Sequence, residues 1–320
     1  MKLDQLTAGA DCATITGDSH IEITGLSYDS RSTMPGHLFF ALARDPELNR
    51  AHMKEALNRG ARAMVVGGWD EAKARPAATL IESDRPRWLM ARAASRFYNR
   101  PSQRLELAGI TGTSGKTTTA YLLASIFEAS GRTAGIIGTT GVFIGGRLSS
   151  SGLTTPESID FEAALAAMEG AGIRSVAAEI SSIGLAEGRV EELDFSGCIF
   201  TNFGRDHLDY HDTLDKYFAA KLRLFTEILP RSRRRDPVAI ARGDDPHGRR
   251  ILDAFGGRKV SFGLSRNLDV YPVRFAAGLD GIHASISALG RRVEISSPLP
   301  GEINLLNILG ASAMSVALGI

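Results

Sequence analysis

The residues of this sequence best suited to chemistry form the run TGTSGKTT at positions 111–118. Glycines let backbone N–H groups close around phosphate oxygens, and a helix that begins in such a loop adds partial positive charge. In that setting Lys116 would reach the outer phosphates, and the Thr117 hydroxyl would ligate Mg²⁺. The spacing G-x-x-x-x-G-K-[ST] is not met, because Ile110 stands where its first glycine belongs. We interpret the run as a nucleotide-binding loop; the alternative is a plain glycine-rich turn before a helix.

A second polar cluster follows two later apolar runs. Glu179 closes the first run, and Asn202, Asp206 and His207 follow the second. In open α/β sheets the ligand crevice lies at the carboxyl ends of the strands, so these side chains are expected near the Lys116 loop. A carboxylate and an imidazole there would suit Mg²⁺ that bridges ATP and a second substrate. The alternatives are that Asp206 caps a helix and that His207 is structural.

The periodicity of the apolar residues predicts the strands and helices that position these side chains. Strands and helices alternate from residue 105 onward, which predicts a mostly parallel sheet with helices on both faces. The expected strands are 105–111, 134–140, 175–181, 197–201 and 238–241, and the expected helices are 116–130, 159–169 and 214–229. Residues 1–98 are expected to form a smaller α/β domain, with strands near 21–23, 37–42 and 63–66 and a helix over 51–59. The overall prediction is an α/β protein with domains at 1–98 and 99–320, and residues 99–102 serve as the linker.

Composition excludes several classes of protein. The 320 residues carry 37 Lys+Arg and 36 Asp+Glu, so nothing indicates a nucleic-acid partner, and Arg231–Arg235 is interpreted as a solvated loop rather than a phosphate patch. Cys12 and Cys198 are too far apart in sequence to indicate a disulfide framework or a thiolate zinc site. The start lacks a signal-peptide core, and 303–320 is expected to be a buried helix instead of a membrane span. A cytoplasmic protein is expected.

The sequence resembles the Mur ligases and, among them, the E type. The resemblance rests on residues 109–118, on Glu179–Ser182 and on the highly specific run Thr201–His211. Further matches are 28–31 with 35–42, 154–157, 217–222 and 301–307. The resemblance extends over nearly the whole chain and implies a small UDP-sugar-binding domain followed by a P-loop ATPase domain.

The resemblance also implies a reaction. An ATP-dependent ligase of peptidoglycan synthesis would phosphorylate a carboxylate of UDP-N-acetylmuramoyl-L-alanyl-D-glutamate. An amino acid's amine, that of diaminopimelate or else lysine, would then attack the acyl phosphate. The protein's part is positioning and charge neutralisation.

The family's functional residues map onto this sequence as follows. Catalytic roles fall to Lys116, His207 and Lys221, the last matching the lysine that the family carbamylates. ATP contacts fall to Gly112, Thr113, Ser114, Gly115, Lys116, Thr117, Thr118 and Asn202. Substrate contacts fall to Ser30, Thr154, Thr155, Ser181 and Arg189, and Mg²⁺ contacts to Thr117, Glu179 and His207. Helical spacing also places Leu214, Lys221 and Phe225 on one inward face.

Some positions depart from the family pattern. Ser114 replaces the usual Asn, Ile183 replaces the E-type His, and 242–245 reads RGDD. The family's third, acceptor-binding domain is expected to be absent, so the 320 residues alone are not expected to complete the ligation. Two alternatives are therefore kept: a Mur-like protein that binds nucleotide and UDP-sugar without joining anything, and an unrelated P-loop kinase.

Overall fold

The computed structural model describes residues 1–10, 13–67, 78–149 and 152–320. The strands are β1 Ala13–Thr16, β2 Gly25–Ser27, β3 His37–Phe40, β4 Ala63–Val66, β5 Thr79–Ser83, β6 Glu106–Thr111, β7 Ala134–Gly138, β8 Gly141–Ile144, β9 Arg147–Ser149, β10 Ser175–Glu179, β11 Gly197–Phe200, β12 Val238–Arg242, β13 Arg258–Phe262, β14 Val270–Gly278, β15 Gly281–Ala288 and β16 Arg291–Ser297. The helices are α1 Leu3–Thr7, α2 Pro46–Asn58, α3 Pro86–Phe97, α4 Lys116–Ala129, α5 Ser158–Gly170, α6 Ser182–Ala186, α7 Leu208–His211, α8 Leu214–Arg223, α9 Pro246–Ala254 and α10 Glu302–Ala317.

The chain divides into two compact units. The first contains Met1–Arg100, Glu157–Ala163 and Glu187–Glu192, and the second contains Pro101–Pro156, Ala164–Ala186 and Leu193–Ile320. The first unit holds a sheet of order β1-β5-β4-β3-β2, parallel except where β1 meets β5. Buried aliphatic side chains such as Leu38, Val65 and Ile81 fill its core.

The sheet of the second unit has the order β16-β15-β14-β13-β12-β11-β6-β10-β7-β8-β9. Its centre is parallel, and β6 lies between β10 and β11. These central strands are short, apolar and fully buried, as parallel strands covered by helices must be. The two ends of the sheet are antiparallel, formed by β8 with β9 and by β14 to β16. The predicted α/β class with a mostly parallel sheet is confirmed.

Several predicted boundaries were wrong. Helix α2 begins at Pro46 rather than at 51, because the Asp45 side chain accepts hydrogen bonds from the N–H groups of Glu47 and Leu48. Residues 21–23 form no strand; Glu22 makes a single bridge with Lys2.

The predicted helix 214–229 is also shorter than expected. Regular α8 ends at Arg223, and a π-turn covers Leu224–Ile228. The Thr226 hydroxyl donates to the carbonyl oxygen of Leu222 at 3.1 Å, a side-chain bond that competes with the helical ladder.

The apolar segment at 303–320 forms the buried helix that was predicted. Helix α10 packs against α4 and the strands beside it, with Leu305, Leu309 and Met314 fully buried. Within the described ranges, no helix has the length and apolar character needed to cross a membrane. Cys198 is a buried free thiol in β11, and Cys12 lies outside the described residues.

Candidate active site

The loop between β6 and α4 has the strand–loop–helix geometry predicted from sequence. Gly112 has φ of 149°, and a Cβ there would lie 1.9 Å from the Thr201 hydroxyl oxygen, so no larger residue fits. Helix α4 begins at Lys116, directly after Gly115. The loop is therefore a backbone cradle at a helix N-terminus, the arrangement that binds phosphate groups.

Residues after β11 hold this loop in shape. The Asn202 side chain accepts from the N–H of Ser114 and donates to its carbonyl oxygen, both at 3.0 Å. The Thr201 hydroxyl donates to the same carbonyl oxygen at 2.7 Å. The Thr113 hydroxyl accepts from the N–H of Gly204 at 2.9 Å. Asn202 thus fixes the loop conformation through backbone contacts.

Lys116 folds back over the loop that it follows. Its Nζ donates to the carbonyl oxygens of Gly112 at 2.9 Å and Thr113 at 3.0 Å. Burial lowers its pKa, while the nearby charges of Glu179 and Asp206 act in the opposite direction. The ammonium group is thus held against the backbone of the loop between β6 and α4.

Glu179, at the end of β10, links two neighbouring strands at this edge of the sheet. Its carboxylate is 1% exposed and accepts from the Thr117 hydroxyl at 2.9 Å. It also accepts from the N–H of Thr139 at 3.0 Å and from the Thr139 hydroxyl at 3.1 Å. A Cβ at Gly138 would lie 2.2 Å from a Glu179 oxygen, so glycine there makes room for the carboxylate.

A chain of hydroxyl groups continues from Glu179 toward α6. The Thr154 and Thr139 hydroxyls lie 3.0 Å apart. The Thr155 hydroxyl donates to the carbonyl oxygen of Glu179 and accepts from the N–H of Ser181, both at 2.9 Å. The Ser181 hydroxyl accepts from the N–H of Gly184 at 3.0 Å. Three of the residues that the family resemblance assigns to substrate are thus brought beside Glu179.

Lys221 is buried at the edge of the same loop. It is 1% exposed, its Nζ donates to the carbonyl oxygen of Gly112 at 2.8 Å, and it lies 4.5 Å from the centre of the Tyr217 ring. Burial, aided by the charge of Lys116, lowers the pKa of Lys221 to about 6. The predicted inward orientation is confirmed, and Phe225 is buried with it, but Leu214 is 43% exposed because it begins the helix.

His207 has a more exposed setting than the other candidates. It adopts a left-handed conformation with φ of 50°, and its Nε2 lies 3.5 Å from a carboxylate oxygen of Asp206. In the part of the chain that the structure describes, no three His, Cys, Asp or Glu side chains gather as a metal-binding group. Asp206 is the partner of His207, and His207 itself, rather than Asp206, is the N-cap residue of α7.

Two substrate candidates belong to the first unit. The Ser30 hydroxyl donates to Glu55 at 2.7 Å. Arg189 and Arg87 both form ion pairs with the buried carboxylate of Glu157, at 3.1 Å and 2.8 Å. The two candidates, Ser30 and Arg189, are thus each held by a carboxylate of the first unit.

Sequence reasoning missed two polar residues that complete the second-unit site. Thr139 makes two of the bonds to Glu179, and Asn307 of α10 lies 3.4 Å from the Thr119 hydroxyl beside the loop. The signal for Thr139 was its place directly after a buried strand, the same signal that identified Glu179.

Residues 110–315 match the Mur ligase middle domain. The chain belongs to the Mur ligase family. A relative from Solibacter usitatus, named UDP-N-acetylmuramoyl-L-alanyl-D-glutamate–2,6-diaminopimelate ligase, is 39% identical over 301 residues, which are 93% of this chain and 60% of the relative. A relative of the same name from Geobacter sulfurreducens is 36% identical and matches 100% of this chain and 63% of its own length.

Solved Mur ligase structures share the fold. A structure titled as a UDP-N-acetylmuramoyl-L-alanyl-D-glutamate–2,6-diaminopimelate ligase superposes with a TM-score of 0.82 at 25% identity, covering 100% of this chain and 63% of that one. A MurF ligase from Thermotoga maritima in complex with ADP gives 0.64 at 17% identity, covering 93% of this chain and 64% of the other. This chain therefore spans somewhat under two thirds of the length of these Mur ligases.

Proposed function

We propose that this chain supplies the nucleotide- and UDP-sugar-binding part of an ATP-dependent ligase. The reaction would join an amino acid, diaminopimelate first and lysine next, to UDP-N-acetylmuramoyl-L-alanyl-D-glutamate through an acyl phosphate. The names of the two relatives above contain UDP-N-acetylmuramoyl-L-alanyl-D-glutamate and 2,6-diaminopimelate. The observation that carries the proposal is the hydrogen bond between Thr117 and Glu179, at 2.9 Å, directly beside Lys116.

The residues at this position fit a magnesium ion. Mg²⁺ prefers oxygen ligands and is usually held by one or two carboxylates together with substrate phosphates and water. The Thr117 hydroxyl and the Glu179 carboxylate are two such oxygens on adjacent elements. When bound, Mg²⁺ would neutralise phosphate charge during phosphoryl transfer. His207, a nitrogen donor paired with Asp206, is proposed as the third contact, as the family resemblance implies.

The chain's own residues would position the nucleotide. Lys116 would leave the Gly112 and Thr113 carbonyl oxygens and donate to the outer phosphates. The N–H groups of residues 112–118 would hold the remaining phosphate oxygens, with Asn202 keeping the loop in shape. Positioning of this kind supplies much of the catalysis in phosphoryl transfer.

We further propose that Lys221 acts as a carbamate. A lysine reacts with CO₂ only as the neutral amine, and a pKa near 6 makes that form dominant at neutral pH. A carbamate would also place a negative charge close to Lys116, where the neutral amine has none. Ser30, Thr154, Thr155, Ser181 and Arg189 are proposed as contacts of the UDP-sugar-dipeptide.

Trapping of the acyl phosphate tests the proposed reaction without requiring the acceptor amino acid. The chain is incubated with ATP, Mg²⁺, the UDP-sugar-dipeptide and hydroxylamine, and the expected product is the hydroxamate of the dipeptide together with ADP. Lys116→Ala is the control that should abolish it. If both ligands bind but no hydroxamate or ADP forms, the chain is a binding protein and the ligase assignment fails.

A further inference from the structure

A cavity of about 510 Å³ lies at the amino-terminal edge of the sheet in the second unit. It forms where the parallel neighbours β6, β11, β12 and β13 begin, whereas the candidate active site follows the carboxyl ends of β6 and β10. The two sites are thus at opposite edges of one sheet. The polar wall of the cavity is formed chiefly by Gln103, Ser196, Arg233, Arg234, Arg235 and Arg258.

The arginine-rich loop in this wall is held in place. The buried carboxylate of Asp194 accepts from the N–H of Arg233 at 2.6 Å and from its guanidinium at 3.2 Å. Arg234 donates from its guanidinium to the carbonyl oxygen of Gln103 at 2.7 Å, and the Ser232 hydroxyl donates to that of Phe195 at 2.8 Å. The run is a loop, as predicted, with Arg231, Arg233 and Arg235 exposed, and these contacts hold it against the ends of the strands.

The arginines keep most of their hydrogen-bonding capacity. Each guanidinium has five N–H donors. Arg258 uses one toward the carbonyl oxygen of Ala317, at 3.0 Å, and lies 3.7 Å from a carboxylate oxygen of Asp236. Arg235 is exposed and makes no hydrogen bond or ion pair with any residue in the described ranges.

The charge of the wall is positive overall. Four guanidinium groups face two carboxylates, those of Glu106 and Asp236. Glu106 is already engaged, because it accepts from Arg132 and from the Ser175 hydroxyl. Asp236 is thus the main internal counter-charge within the wall.

Two further polar groups of the wall lack a hydrogen-bond partner among the described residues. Ser196 is 7% exposed, and its hydroxyl lacks a hydrogen-bond partner among the described residues. The side-chain nitrogen of Gln103 is equally buried and unpaired in that part of the chain. Both atoms are closed to solvent, so the arginine guanidinium groups, rather than these two, form the surface that a ligand would meet.

We propose that this cavity binds a phosphorylated small molecule through its phosphate groups. Guanidinium groups match phosphate oxygens in planar, paired hydrogen bonds, and the volume is that of a typical small-molecule site. The concave shape and the Asp236 carboxylate disfavour an extended polyanion such as a nucleic acid or a flat membrane surface. The site is independent of the phosphate loop and of the proposed ligase reaction.

Calorimetric titration with inorganic pyrophosphate tests the proposal. The chain carries Lys116→Ala so that binding at the phosphate loop is weakened. Against that background, Arg235→Ala and Arg258→Ala are each expected to lower pyrophosphate affinity about tenfold, the usual effect of losing a charge-assisted hydrogen bond. Arg292→Ala is the matched control, since Arg292 is exposed on β16 away from the cavity, and it should leave the affinity unchanged.

Two results would overturn the proposal. The first is an unchanged affinity in Arg235→Ala, which removes no contact within the described chain and so should fold even if Arg258→Ala does not. The second comes from co-sedimentation with vesicles. If the chain fails to bind pyrophosphate but binds vesicles of anionic phospholipid, and not vesicles of phosphatidylcholine, the ligand of the arginines is a membrane surface instead.

Discussion

Lys116 and Lys221 direct their ammonium nitrogens at one atom, the carbonyl oxygen of Gly112, at 2.9 Å and 2.8 Å. Two cations so close in a buried setting repel each other, and one of them must give up its proton or acquire a counter-charge. Burial and the charge of Lys116 lower the pKa of Lys221 to about 6, so Lys221 is the lysine that gives up its proton. Both lysines therefore have lowered pKa values, and Lys221 is the one that is largely without its proton at neutral pH.

The first prediction concerns stability and pH. Because the pKa of Lys221 falls from 10.5 to about 6 on folding, the unfolded chain binds more protons at this residue between those values. Its contribution to stability therefore decreases as pH falls through that range and levels off below about 6. In CO₂-free buffer, Lys221→Met should be more stable than the original chain near pH 7, by a margin that shrinks toward pH 10. Urea unfolding at several pH values measures it, and a pH-independent difference would contradict it.

The second prediction concerns the carbamate itself. In ¹³C-labelled bicarbonate, the chain should show one carbamate signal, from a buried lysine, in its ¹³C NMR spectrum. Lys221→Arg should remove that signal. Lys216→Arg should keep it, because Lys216 lies on the same helix but is exposed and paired with Asp212. A signal that survives Lys221→Arg would assign the modification elsewhere.

The third prediction concerns ATP binding. Lys116→Ala removes a charge-assisted contact worth about 1.5–3 kcal/mol, so affinity for Mg²⁺-ATP should fall roughly ten- to a hundredfold. Lys54→Ala, an exposed lysine of the first unit, is the control and should bind normally. Calorimetry measures both. Equal affinities in the two variants would mean that nucleotide binds elsewhere.

The sequence predicted the parts of the fold that depend on local patterns. Strand β6, the loop and helix α4 were predicted almost to the residue, because a buried apolar run, glycines and a helical period follow one another directly. The inward orientation of Lys221 came from the same helical period. The start of helix α3 was not predicted, since no side chain caps it and only Pro86 marks it.

Contacts between distant segments could not be predicted in this way. Thr139 reaches Glu179 because β7 pairs with β10, a strand order that no local pattern specifies. The antiparallel strands β14 to β16 were missed because their outward residues are polar and resemble a loop. Asn307 reaches the phosphate loop only because α10 packs against α4.

The last prediction isolates the Glu179 carboxylate. Glu179→Gln keeps the size of the side chain but removes its charge, and the Gln carbonyl oxygen can accept both hydroxyl bonds, from Thr117 and Thr139, which share one oxygen of Glu179. The variant should bind ATP without Mg²⁺ at least as well as the original chain, because a negative charge near the phosphates is gone. The increase in affinity that Mg²⁺ produces in the original chain should be lost. Glu169→Gln, which changes an ion pair with Arg104 away from the loop, should retain that increase. Calorimetry with and without Mg²⁺ gives both quantities, and an undiminished Mg²⁺ effect in Glu179→Gln would exclude this carboxylate from the metal site.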